Sequence, residues 1–73
     1  MIKLKIVYKV YDYRTKSNMT LRELEEKSGI SRATINNIEN GVANPTVEII
    51  CKLAIALDCA PQDLFSVEKW GYV

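Results

Sequence analysis

The stretch of sequence that decides the fold runs from residue 20 to residue 41 and reads TLRELEEKSGISRATINNIENG. It begins with Thr20, whose hydroxyl can accept hydrogen bonds from the free amides of a helical first turn. Glu23 occupies the third position of a capping box. Gly29 follows Lys27 and Ser28, and glycine readily adopts the left-handed conformation that ends many helices. The sequence therefore predicts a helix that begins after Thr20 and ends at Gly29.

Another helix, which becomes the third helix of the chain once the amino-terminal segment is counted, is predicted directly after this turn. Ser31 can cap it, and Ile35 and Ile38 lie three residues apart, so they share one face that we expect to be buried. The helix is expected to end at Asn40 and Gly41. Its remaining face, near the amino end, presents Arg32, Ala33, Asn36 and Asn37. Two helices joined by a tight turn form a helix-turn-helix unit.

The segments on either side are predicted to hold this unit in place. Thr46 can cap a long apolar helix that continues to Leu57, and Pro61 suits the first turn of a short last helix at 62–65. The amino terminus is open to two interpretations, because Ile2, Leu4 and Ile6 alternate with lysines as in a strand, whereas Ile6 also begins a helical spacing. We favour an extended arm at 2–5 and a first helix at about 6–16.

Length and composition limit the chain to one domain. It has 73 residues, of which 48% are hydrophobic and 26% are charged. We expect an arm at 1–5, a helical bundle at 6–65 and a tail at 66–73. No apolar run approaches the ~20 residues of a membrane-spanning helix, and the amino terminus lacks a signal-peptide pattern. A cytoplasmic protein with no membrane partner is therefore expected.

Enzymatic and metal-binding functions are not expected. The chain has no histidine and two cysteines, Cys51 and Cys59, which we interpret as small buried hydrophobic residues. It has no glycine-rich phosphate loop and no nucleophile beside a base. We therefore predict no catalytic residue, no metal, no cofactor and no small-molecule ligand.

Charge is distributed unevenly along the chain. Residues 1–18 carry five basic side chains and one acidic side chain, a net +4, while the rest carries five basic and eight acidic side chains, a net −3. The basic end can approach phosphates while the acidic remainder faces away.

The stretch from Met19 to Phe65 resembles the Cro and phage-repressor, or XRE, type of helix-turn-helix domain. The resemblance rests on an ordered series of residues: Thr20, Leu24, Gly29, Ser31, Ile35, Ile38, Glu39, Asn40, Gly41, Pro45, Leu53, Ala54, Leu57, Asp63, Leu64 and Phe65. It implies an all-α, five-helix bundle like that of the lambda repressor, here with a short extended arm. It also implies a sequence-specific transcriptional regulator whose third helix enters the major groove of double-stranded DNA.

The exposed face of the third helix carries groups that suit base recognition. Arginine can bind guanine O6 and N7 with two hydrogen bonds, asparagine can bind adenine N6 and N7, and alanine can contact a thymine methyl. Arg32, Ala33, Asn36 and Asn37 are therefore the predicted base contacts, and by resemblance they align with base-contacting positions of the family. The alternative is a solvated polar face. The predicted phosphate contacts are Thr20, Leu21, Arg22, Arg14, Thr34, Asn40 and Asn44.

Two positions, Leu21 and Glu25, differ from the family pattern, and a third, Glu39, follows it. Leu21 replaces a glutamine that usually helps to bind the DNA backbone, so only its amide can contribute. Glu25 replaces a small residue, so its side chain must extend outward or helices 2 and 3 must separate. The family pairs Glu39 with an arginine of the first helix, and Arg14 stands at the matching position, so the resemblance implies a partly buried ion pair.

A homodimer is expected, because one helix reads few base pairs. The candidate dimer surface combines Ile55 with the tail residues Val67, Trp70 and Tyr72, although Trp70 could instead fold back on its own core. The alternative function is a protein-interaction module, such as an antitoxin or adaptor. It would bind its partner through the tail or through the surface of Tyr8, Tyr11 and Tyr13.

Overall fold

The computed structural model describes all of residues 1–73 and contains four α-helices, one 3-10 turn and two strands. The elements follow the order β1 (Ile2–Tyr8), α1 (Val10–Lys16), α2 (Leu21–Ser28), α3 (Arg32–Glu39), α4 (Val47–Leu57), the 3-10 turn (Pro61–Leu64) and β2 (Phe65–Tyr72). No helix combines the length and the apolar character that crossing a membrane would need.

The helix-turn-helix unit forms where the caps predict it. The Thr20 hydroxyl accepts from the Glu23 amide at 3.1 Å, and the Glu23 carboxylate accepts from the Thr20 amide at 3.0 Å. Gly29 ends α2 with φ +76°, a left-handed conformation that favours glycine. Ser31 then caps α3, and Thr46 caps α4. These caps satisfy amides that have no partner within their own helix.

One hydrophobic core joins the helices. Its nine buried residues are Val10, Leu24, Ile35, Ile38, Ile50, Leu53, Ala54, Leu57 and Leu64. Helix α4 supplies four of them and packs against α2, so it supports the helix-turn-helix unit from behind. Because Ile35 and Ile38 point into this core, they determine which face of α3 is turned outward.

The prediction of an all-α, five-helix bundle is wrong. The first segment forms strand β1 over the whole of Ile2–Tyr8, and α1 begins at Val10 instead of near residue 6. The predicted last helix at 62–65 is a 3-10 turn that ends at Leu64. Alternation and β-branched residues favour a strand, but a strand also needs a partner for its backbone groups. That partner is β2, at the other end of the chain.

Strands β1 and β2 form a two-stranded antiparallel sheet, which we call the ribbon. Ile2 lies opposite Tyr72, Leu4 opposite Trp70 and Ile6 opposite Val67. The register shifts between Lys5 and Ile6, so Glu68 has no partner on β1 and forms a bulge. The amide of Lys9 donates to the carbonyl of Leu64 at 2.7 Å, which fastens the base of the ribbon to the bundle.

Candidate nucleic-acid interface

Helix α3 presents a polar, solvent-exposed face at its amino end. Ile35 and Ile38 are 0% and 1% exposed, whereas all four predicted base-contacting residues are exposed. These four are Arg32, Ala33, Asn36 and Asn37. The side-chain hydrogen bonds at this end of the helix join Ser31, Thr34, Glu25 and Arg32. The two asparagine carboxamides are therefore available to a ligand.

Glu25 of α2 binds the first residue of α3 in two ways. One carboxylate oxygen accepts from the backbone amide of Arg32 at 3.0 Å, and the other lies 3.0 Å from its guanidinium Nε. The carboxylate thus satisfies a free amide at the helix start and orients the guanidinium. The Arg32 side chain nevertheless stays 60% exposed, so part of its guanidinium faces solvent. This contact explains how the long side chain of Glu25 is accommodated between α2 and α3.

Arg14 and Glu39 form a buried ion pair beneath the interface. Nε of Arg14 lies 2.7 Å from one carboxylate oxygen of Glu39, and Nη2 lies 3.0 Å from the other. The side chains are only 12% and 4% exposed. Nη1 donates to the carbonyl of Met19 at 2.9 Å, and the guanidinium lies over the ring of Tyr11. The hydrogen bonds to Glu39 raise the pKa of Arg14 above its ordinary value.

This pair joins α1 to the end of α3 and neutralises the Glu39 carboxylate. Three guanidinium nitrogens of Arg14 already have partners. The structure therefore leaves little of Arg14 open to a phosphate, although it lies among the predicted phosphate contacts.

The other predicted phosphate contacts differ in their exposure and in how many of their polar atoms already have a partner within the protein. Arg22 is 76% exposed, with a long 3.5 Å contact to Glu26, and Asn40 is exposed at the end of α3. Thr34 shares its hydroxyl with Ser31 at 2.9 Å. Asn44 accepts through its side-chain oxygen from the Tyr8 hydroxyl at 3.3 Å, so its amide nitrogen is left to donate.

The start of α2 offers backbone donors. The amides of Glu23 and Leu24 are engaged by the hydroxyl and the carbonyl of Thr20. The amides of Leu21 and Arg22 lie in the same first turn, where no intrahelical acceptor is available. The Leu21 side chain packs partly against the core. An anion at this position would meet both amides and the positive end of the helix dipole.

The fold and this surface can be compared with known proteins. The family model for the helix-turn-helix matches residues 10–64, which include all four α-helices and the 3-10 turn. The chain belongs to the XRE-type helix-turn-helix family. The resemblance based on the sequence is thereby confirmed, and the ribbon lies outside the segment that the XRE-type family model matches.

Relatives of this XRE-type domain include an uncharacterised HTH-type transcriptional regulator of Archaeoglobus fulgidus. It is 35% identical over 66 residues, which cover 86% of this chain and 94% of that protein. Among solved structures, the restriction-modification controller protein C.AhdI of Aeromonas hydrophila is 31% identical, with a TM-score of 0.73 over 75% of this chain and 83% of that one. The Bacillus subtilis biofilm regulator SinR, solved in complex with DNA, is 27% identical, with a TM-score of 0.70 over 74% and 87%.

Two features of this XRE-type domain escaped prediction. The contact between Glu25 and Arg32 spans seven residues of sequence and two helices; the only signal for it was a carboxylate at a position where the family places a small residue. The second is an apolar cleft of about 250 Å³ at the base of the ribbon, although no spare pocket was expected in so small a core. Its lining consists of Ile6, Tyr8, Pro45, Val47, Ile50 and Phe65.

Proposed function

We propose that this chain is a DNA-binding transcriptional regulator whose helix α3 reads base edges in the major groove. The observation that carries the proposal is the orientation of α3. Ile35 and Ile38 are buried, so the polar face that includes Arg32 is turned to solvent. The relatives support it, because the A. fulgidus protein is named a transcriptional regulator and SinR was solved with DNA. Helices placed in this way enter the major groove in helix-turn-helix proteins.

Each exposed side chain has a base that suits its chemistry. Arg32 can present guanidinium nitrogens to guanine O6 and N7, because its side chain is 60% exposed despite the contact with Glu25. Asn36 and Asn37 can each bind adenine through N6 and N7, and the Ala33 methyl can contact thymine. These assignments predict a short site with one guanine and neighbouring A·T pairs.

Phosphate contacts would flank these bases and fix the register of the protein. The backbone donors are the amides of Leu21 and Arg22 at the start of α2. Side-chain donors come from residues that border the same surface, namely Thr20, Arg22, Thr34, Asn40 and Asn44. Arg14 acts chiefly from below, where it neutralises the Glu39 carboxylate.

A homodimer is part of the proposal. A single α3 covers only a few base pairs, and two copies related by a twofold axis would read half-sites ~34 Å apart on one side of the duplex. Such a regulator would act in the cytoplasm, on double-stranded DNA.

The proposal is tested by selecting bound duplexes from random DNA and measuring affinity for the selected site against salt. We expect a paired motif at helical-turn spacing and a fall in affinity of at least ~100-fold between ~50 and ~200 mM salt, since several phosphates would be neutralised. A random pool with no enriched motif, or an affinity that stays flat with salt, would contradict it.

The ribbon favours one other candidate, a protein-interaction module, because it exposes large apolar side chains such as Trp70. The tyrosine surface supports it less well, since Tyr8 and Tyr13 are half-buried. A chain that shows no DNA affinity at low salt but captures a defined partner would establish this second function.

A further inference from the structure

The two faces of the ribbon differ completely in character. Side chains alternate along β1, and directly opposite residues of β2 share a face. One face carries the apolar residues Ile2, Leu4, Ile6 and Tyr8 of β1 and Phe65, Val67, Trp70 and Tyr72 of β2. The other carries Lys3, Lys5 and Val7 of β1, which lie opposite Gly71, Lys69 and Ser66 of β2. We call these the apolar face and the lysine face.

The apolar face is covered only at its base. Ile6 and Tyr8 are half-buried beside α4, where they line the 250 Å³ cleft. Further out, Leu4 is 60% exposed, Trp70 78% and Tyr72 88%. The ribbon therefore carries an apolar surface that continues from the body of the domain into solvent.

A ribbon of this kind is poorly stable by itself. Two strands without a covering layer are marginal in water. Like charges directly opposite each other, as at Lys5 and Lys69, weaken it further. Something that covers the apolar face would stabilise the ribbon and remove its aromatic side chains from water.

We propose that the apolar face of the ribbon packs against the same face of a second copy of this chain. The proposal rests on the proposed function, which requires two α3 helices on one duplex. An apolar face without any charged side chain is complementary to itself, as a twofold interface requires. The lysine face cannot serve, because two copies would oppose like charges there.

The available area is of the order that a stable dimer needs. Large aromatic side chains bury ~150–250 Å² each. By that measure Trp70 and Tyr72 would contribute roughly 300–500 Å² of the ~800 Å² per partner of a standard interface. The exposed Ile2, Leu4 and Val67 would supply much of the rest. Sheets packed face to face in this way bury side chains of both inner faces. Ile55, 81% exposed on α4, lies outside the ribbon and is the rival position.

The test uses the chain's single tryptophan as its own reporter. Trp70 emission, its quenching by acrylamide and sedimentation equilibrium are measured on the unaltered protein across a concentration series. We expect a dimer whose formation shifts the emission to shorter wavelength and protects Trp70 from the quencher at the same midpoint.

Two neighbouring substitutions supply a matched comparison. Trp70→Glu places a carboxylate on the apolar face and should raise the dimer dissociation constant about 30-fold or more. Lys69→Glu introduces the same side chain one residue earlier, on the lysine face opposite Lys5, and should leave the dimer intact. Circular dichroism of both variants checks that their helices are kept. A third variant, Ile55→Glu, should not affect association.

Three results would overturn the inference: a monomer at all concentrations, a dimer that leaves Trp70 open to the quencher, or dissociation by Ile55→Glu instead of Trp70→Glu. Binding to a single half-site separates this inference from the proposed function. A monomer that still prefers the selected half-site would refute the interface and leave the reading of DNA by α3 intact. A dimer without DNA affinity would support the interface and contradict the proposed function.

Discussion

The Glu25 carboxylate holds Arg32 both by its backbone amide and by its guanidinium Nε, each at 3.0 Å. One acidic side chain of α2 thereby caps α3 and positions the first residue of its exposed face. In the proposed complex an acidic group at this position would weaken attraction to phosphates in general. We expect its benefit to be orientation, since the ion pair restricts the positions that the Arg32 guanidinium can adopt.

Replacing Glu25 should therefore affect affinity and selectivity in opposite directions. We expect Glu25→Ala to strengthen binding to unrelated duplex DNA, because a repelling charge is lost. We also expect it to reduce discrimination at the guanine position by about 1 kcal/mol, a part of the ~1–3 kcal/mol that a bidentate arginine supplies. Competition binding with the selected site and its single-base variants measures both effects.

Glu26→Ala is the matched control for that experiment. Glu26 is the adjacent carboxylate and contacts Arg22 instead of Arg32. Its removal should strengthen general DNA binding similarly and leave the base preference unchanged. Equal selectivity in the two variants would show that Glu25 has no positioning role.

The buried pair of Arg14 and Glu39 should be important for stability. Removing one partner leaves the other charge buried and unpaired, which typically costs ~3–5 kcal/mol. We expect Glu39→Ala to lower the free energy of unfolding by about 3 kcal/mol or more, as measured by urea denaturation. The double variant Arg14→Met with Glu39→Leu should recover much of that loss, because no charge remains in the interior.

An exposed ion pair provides the comparison. Lys52 and Glu48 lie 3.3 Å apart on α4, and both are more than half exposed. Lys52→Ala should change stability by no more than ~0.5 kcal/mol, as is usual for such pairs. A Glu39→Ala variant as stable as Lys52→Ala would mean that the buried pair contributes little.

The capping box of α2 should make stability depend on acidity. The hydrogen bond from the Thr20 amide holds the pKa of Glu23 below its ordinary value. Because the carboxyl is more acidic in the folded chain, its contribution is complete above the unfolded pKa and is lost as the pH falls through the folded one. We expect the stability difference between the unaltered chain and Glu23→Ala to be constant from about pH 7 to about pH 5 and to shrink below that.

Urea denaturation across this range measures the effect. Glu23→Gln keeps an oxygen acceptor but does not titrate, so its stability should depend less on pH than that of the unaltered chain. Parallel curves for the unaltered chain and Glu23→Ala down to about pH 3 would rule out this role.

Local signals in the sequence predicted the helix-turn-helix unit correctly. The caps at Thr20, Ser31 and Thr46 and the turn at Gly29 each depend on a few neighbouring residues, and the structure forms all of them. The inward orientation of Ile35 and Ile38 followed from helical spacing. The exposed face of α3 could be predicted for the same reason, because the residues that do not share the buried face with Ile35 and Ile38 must face solvent.

Features that join distant parts of the chain could not be predicted in this way. The alternation at Ile2, Leu4 and Ile6 indicated a strand, but its partner begins at Phe65 and contains a bulge that breaks the alternation of β2. The helical spacing that begins at Ile6 then favoured a helix from about residue 6, and the tail was left without structure. The contact of Glu25 with Arg32 likewise depends on how α2 packs against α3.

The most direct test of the central claim, that Arg32 on α3 reads a base, compares two arginine substitutions on a base-pair scan of the selected site. We expect Arg32→Ala to weaken binding by ~1–3 kcal/mol and to abolish the preference at one base pair. Arg22→Ala, on the phosphate side, should weaken binding to all sequences alike and reduce the salt slope by ~1. If Arg32→Ala retained every base preference and behaved like Arg22→Ala, reading of DNA by this face of α3 would be contradicted.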